Sequence, residues 1–124
     1  MSDGPDVPAN LKVYVDAMGR QLAVRFFLRF GGAPLYIPAK PTAKSALAEL
    51  IGERAVRALY EHFDARGETR NVRIPVDKKW IARQLQHDGE PVLNIARTLH
   101  VSDVMVRRYL KAVRRDREQL ALPL

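Results

Sequence analysis

Apolar residues recur three and four positions apart at Leu22, Phe26 and Phe30, and again at Ala55, Leu59 and Phe63. This spacing predicts two helices that each bury one face. Both belong to a longer pattern, because residues 18–30 align with 51–63 and the same interval separates Gly19 from Phe30 and Gly52 from Phe63. After each phenylalanine comes a glycine-containing turn, Gly31-Gly32-Ala33-Pro34 or Asp64-Ala65-Arg66-Gly67. A β-prone piece ending in Ile-Pro follows, Leu35-Tyr36-Ile37-Pro38 or Val72-Arg73-Ile74-Pro75. The first half therefore reads as two copies of helix, turn and short strand, with a longer turn in the second copy, and two copies are too few for a solenoid. Proline removes a backbone donor at the end of each strand and confines it to an edge. Two outcomes stay open for those edges: pairing with a second chain in a homodimer, or pairing of the two copies within one chain. Between the copies, residues 39–42 read as a connector, with Thr42 capping a helix through Ala46, Leu47, Leu50 and Ile51. Gly31-Gly32 is turn chemistry, since no basic residue or hydroxyl stands at Walker spacing.

The pattern changes after Pro75. Asp77 is placed to cap a helix through Lys78, Lys79, Trp80, Ile81 and Leu85, which Asp88-Gly89 stops. Pro91, at a first helical position, opens a second helix carrying Val92, Ile95, Ala96 and Leu99 on one face. A third starts at Ser102 with Val106, Tyr109, Leu110 and Val113 at core spacing. A small residue where helices touch (Ala96), a tight turn (His100-Val101-Ser102) and apolar anchors beyond it are what a helix-turn-helix requires, and a plain three-helix packing unit is the alternative. His100 stands where glycine commonly supplies the left-handed turn, at a cost of about 1 kcal/mol.

With 124 residues, 47% hydrophobic and 28% charged, the chain is one domain or two small lobes and excludes a long multidomain enzyme. We expect a mainly α fold with short β-strands: a repeated dimerisation region over 1–75, a helix-turn-helix over 76–115 and a tail over 116–124. The net charge of +7 favours a polyanionic partner. It is unevenly spread: up to Gly67 there are 9 basic and 7 acidic residues, a surplus of 2, and beyond it 12 and 7, a surplus of 5. Arg107, Arg108, Lys111, Arg114, Arg115 and Arg117 crowd the third helix, although such a run taken alone is also what a solvated amphipathic surface looks like.

Catalysis finds no support. The three serines lack a base in sequence context, His62, His87 and His100 show no metal spacing, and the acidic residues are scattered, so neither enzyme activity, a metal nor a cofactor is expected. Absence of cysteine removes disulfides, thiolate zinc and a thiol nucleophile. Arg25 and Arg29 interrupt the apolar stretch over residues 22–30, and residues 1–6 lack the basic start and apolar run of a secretory signal, so no membrane association and a cytoplasmic setting are expected.

In a helix-turn-helix, Ser102, Asp103, Val104, Arg107, Arg108 and Lys111 would face a major groove of double-stranded DNA. Arg107 and Arg108 are the candidates for bidentate contact with guanine, whereas Lys111, Arg114 and Arg115 suit phosphates. Asp103 would oppose a phosphate unless it accepts from cytosine. Ordinary helix capping is the competing role for Ser102, and Lys78 and Lys79 are placed to clamp the backbone.

Three stretches together, Gly31 to Pro38, Leu50 to Ala55 and Ile95 to Ser102, resemble the middle operon regulator (Mor) and C activator family of Mu-type phages. The likeness runs from about Val15 to Val113. It implies a dimeric transcription activator of a phage or mobile element, with an N-terminal dimerisation part, a short strand, a C-terminal helix-turn-helix in the major groove, and recruitment of host RNA polymerase. The family's strand before the DNA-binding part carries Gly-Gly and Tyr. In this chain that copy has Asp64-Ala65 for the glycines and Arg73 for the tyrosine, so arginines, Arg70 and Arg73, would reach a minor groove instead. The ending Gln119-Leu120-Ala121-Leu122-Pro123-Leu124 resembles the peptide by which bacterial replication proteins dock on the sliding clamp, with Gln119, Leu120, Leu122 and Leu124 as contacts. A helix end whose leucines return to the core is the alternative. A replication-linked DNA-binding protein and a protein-interaction module kept soluble by its basic face are the rival functions.

Overall fold

A computed structural model describes residues 4–40, 42 and 45–111. The backbone divides into two compact units, one spanning Val7–Val76 and the other running from Asp77 onward together with the first residues of the chain. The fold is mainly helical with one small antiparallel sheet.

The first unit opens with a 3₁₀ turn, Ala9–Leu11, continuing into α1 (Lys12–Met18), α2 (Arg20–Phe30) and β1 (Pro34–Leu35). Then follow α3 (Ala46–Ile51), α4 (Glu53–Asp64) and β2 (Val72–Arg73). The repeat is longer than its sequence signature, since each copy is two helices hinged at a glycine, then a turn and a strand. Gly19 ends α1 by donating to the Val15 carbonyl at 2.7 Å, and its own carbonyl accepts from Ala23 at 3.0 Å to start α2. Gly52 repeats both bonds with Ala48 (2.8 Å) and Val56 (3.2 Å). Each leading helix packs on its own following helix and on that of the other copy: α1 on α2 and α4, α3 on α4 and α2.

Strand pairing takes the intramolecular route. β1 pairs antiparallel with β2, Pro34 opposite Arg73 and Leu35 opposite Val72. Gly32 donates to the Ile74 carbonyl at 2.8 Å, Ile74 to Ala33 at 3.1 Å and Ile37 to Thr69 at 2.9 Å. Ile37 and Ile74, the isoleucines of the two Ile-Pro endings, are both fully buried. Pairing of the two copies within one chain occupies one edge of each strand.

Three details of the predicted elements shift. In α2 the buried face is Ala23, Val24, Phe26 and Phe27, leaving Leu22 and Phe30 half-buried, because the helix is packed between α1 and α3 and needs a wider stripe than one three-four spacing provides. Phe26 and Phe27 meet Tyr14 with centroids 5.4 Å away in each case, and Phe63 closes the cluster at 6.1 Å from Tyr14. The cap of α3 is Ser45, whose Oγ accepts from the Ala48 amide at 3.0 Å, while Thr42 accepts only through its backbone from Ser45. The opening turn and α1 were not anticipated as separate elements.

The second unit contains α5 (Lys78–His87), α6 (Val92–Leu99) and α7, which begins at residue 103 and is described to 111. Asp77 caps α5 as expected, Oδ1 accepting from the Trp80 amide at 3.0 Å. Pro91 is the residue just before α6 rather than its first member, and its carbonyl accepts from Ile95 at 3.1 Å. Ile81, Ile95 and Val106, one from each helix, are fully buried, with Trp80, Leu99 and Ala96 almost so. No helix of the described residues is long and apolar enough to cross a membrane.

Candidate nucleic-acid interface

The turn between α6 and α7 sets how the basic helix is presented. His100 takes the left-handed conformation, φ 56°, ψ 43°, and the Val101 amide returns to the Ala96 carbonyl at 3.1 Å. Among the described residues it is the one non-glycine with positive φ. Ser102 then caps α7 twice over: its Oγ accepts from the Met105 amide and its carbonyl from the Val106 amide, both at 3.1 Å. Capping is therefore the role the geometry gives Ser102. α7 is also tied to α5, where Arg83 Nε donates to the Tyr109 carbonyl at 3.3 Å.

Val106 is wholly buried and fixes which side of α7 faces inward. At about 100° per residue, Val104 and Arg108 lie some 160° round from it on either side, and Lys111 about 140°. All three are exposed, Val104 at 56%. Arg107 stands at the flank, only about 100° from Val106. There its guanidinium Nη1 pairs with Asp103 Oδ2 one turn earlier, and this bond first, with the attraction of the same charge, holds the Asp103 carboxyl below its ordinary range. The two arginines that looked equivalent in the sequence are separated by the helix: Arg108 is on the outermost line, while Arg107 is paired at the side. The Asp103 carboxylate is engaged by Arg107 rather than standing as a lone negative charge.

Lys78 and Lys79 are exposed in the first turn of α5. On α6, Leu93 (59% exposed), Asn94, Arg97 and Thr98 form the outward face. Arg97 is a cation that the sequence reading passed over, although its position opposite Ile95, Ala96 and Leu99 on the 3.6-residue repeat was there to find.

Arg70 and Arg73 belong to the first unit. Arg73 faces Pro34 across the sheet and lines an open groove of about 720 Å³ with Lys12, Arg66, His62 and Tyr14, whereas Arg70 lines a neighbouring hollow of about 490 Å³. Burial pushes the Tyr14 phenol up to about 12. Arg114, Arg115 and the C-terminal contacts Gln119, Leu120, Leu122 and Leu124 lie outside the described residues. Among those described, no group of three or more His, Asp or Glu side chains is arranged to hold a metal ion.

No family model, curated protein or solved structure matches this chain.

Proposed function

We propose that the chain is a sequence-specific regulator that binds double-stranded DNA, of the kind encoded by a phage or mobile element. The observation that carries this reading is α7: a capped helix, held on its inner side by Val106 and at Tyr109 by Arg83, that turns Val104, Arg108 and Lys111 outward. A left-handed residue at the end of one helix, followed by a capped basic helix, is the arrangement by which a helix-turn-helix enters a major groove. The net charge of +7 supplies the long-range attraction to phosphate. In this reading Lys111, Lys78 and Lys79 meet the backbone, while Arg70 and Arg73 are, by the resemblance, candidates for a minor groove. The Mor-like stretches favour a transcription regulator, and a homodimer and host RNA polymerase as further partners come from that resemblance.

Selection of binding sites from random duplex DNA by the full chain tests the reading. An enriched motif of fixed sequence is expected, and a palindrome would report a symmetric dimer. Equal retention of all sequences overturns it. The C-terminal hexapeptide supports a second reading, a replication-linked protein tethered to the sliding clamp. There the intact chain captures purified clamp and the chain lacking residues 119–124 does not.

A further inference from the structure

Within the DNA-binding reading, on which this inference rests, we propose that α7 selects a thymine and a nearby guanine, Val104 packing on the thymine 5-methyl group and Arg108 bridging guanine O6 and N7. Val104 is an apolar side chain 56% exposed in the first turn of α7, with Arg108 and Lys111 as its exposed companions along the outermost line. On α7, an exposed apolar residue set beside cations fits a surface that is anionic overall and offers an isolated methyl group. The major groove of DNA is such a surface, whereas a protein partner would ask for a broader apolar patch. Valine's side chain makes no hydrogen bond, so its favourable partner on a base edge is the methyl of thymine, and an exposed guanidinium one turn along, with no ion pair among the described residues, suits the two acceptors of guanine. Arg107 is the weaker candidate for the guanine because Asp103 already engages it at the flank.

The helix also limits the spacing. Four residues advance about 6 Å along an α-helix, less than two base-pair steps of about 3.4 Å, so the two bases are expected within about two pairs of each other.

The experiment uses the full chain and duplexes recovered by site selection, in which deoxyuridine replaces thymine (removing only the methyl) or 7-deazaguanine replaces guanine (removing only N7). One thymine position is expected to lose about threefold to tenfold in affinity on demethylation. Val104→Ala should show that loss already on normal DNA and no further loss on the deoxyuridine duplex. Arg108→Ala should likewise become indifferent to 7-deazaguanine within two pairs of that thymine. Val104 and Arg108 are both exposed, and unchanged helical circular dichroism verifies that the variants fold. Selected sites that tolerate deoxyuridine at every thymine, or a Val104→Ala protein that still senses the methyl, overturn the inference and leave DNA binding standing. Absence of any preferred duplex overturns the DNA-binding reading itself.

Discussion

Gly19 and Gly52 hold the same backbone conformation, φ 84°, ψ 165° and φ 86°, ψ 153°, and each serves at once as the end of one helix and the start of the next. This region is open to glycine and strained for any residue with a Cβ. Added Cβ atoms would meet nothing within 4 Å at either site, so the strain is of the backbone alone. Gly19→Ala and Gly52→Ala should each destabilise by about 1–3 kcal/mol, read as a lower urea midpoint with unchanged slope. Equal losses at the two positions are expected from their equal geometry.

His100 poses the opposite case. Its φ of 56° costs a residue with a side chain about 1 kcal/mol relative to glycine. His100→Gly should therefore raise the melting temperature, and Ser102→Ala, which removes the acceptor for the Met105 amide, should lower stability by about 0.5–2 kcal/mol. Thermal unfolding followed by circular dichroism measures both. A destabilised His100→Gly protein would mean that the imidazole contributes more than the strain it imposes.

Under the proposed DNA-binding function, the separation of Arg107 from Arg108 should have a counterpart in affinity. Lys111→Ala should weaken specific and random duplexes alike and reduce the salt slope by about 1, while Arg108→Ala should remove preference at one base pair. Asp103→Asn leaves Arg107 without its carboxylate partner and removes a negative charge from the helix face. It should raise affinity for random DNA and steepen its salt dependence. Titrations at several salt concentrations distinguish these outcomes, and identical losses for the Arg108 and Lys111 variants on both kinds of DNA would refute the division of labour.

Alkali should act on the first unit through Tyr14. Burial lifts its phenol from the ordinary 10.0 to about 12. A raised folded-state value means that the stabilising contribution is complete below pH 10 and is lost as pH rises towards 12. Absorbance of the phenolate should reveal one tyrosine titrating near pH 12, absent from Tyr14→Phe. The variant should also lose less stability between pH 10 and 12 than the parent chain.

Much of this was legible beforehand because local chemistry fixed it. Asp77 announced a cap by standing before an amphipathic run, and the glycine-to-phenylalanine interval exposed the repeat. The left-handed bend at His100 followed from the spacing around it. Other features depended on neighbours remote in sequence. The inward side of α2 is decided by α1 and α3 together, so Ala23 and Phe27 displaced Leu22 and Phe30 from the core. Short α1 has too few periodic positions to declare itself. The inequality of Arg107 and Arg108 needs a fixed rotation of α7, which only the burial of Val106 supplies.

The hydrogen bonds from Ile74 to Ala33 and from Gly32 to Ile74 join the two halves of a duplicated unit that one covalent chain already connects. Closure of that sheet is consequently a first-order event with an effective concentration set by the intervening segment, and dilution does not dissociate it.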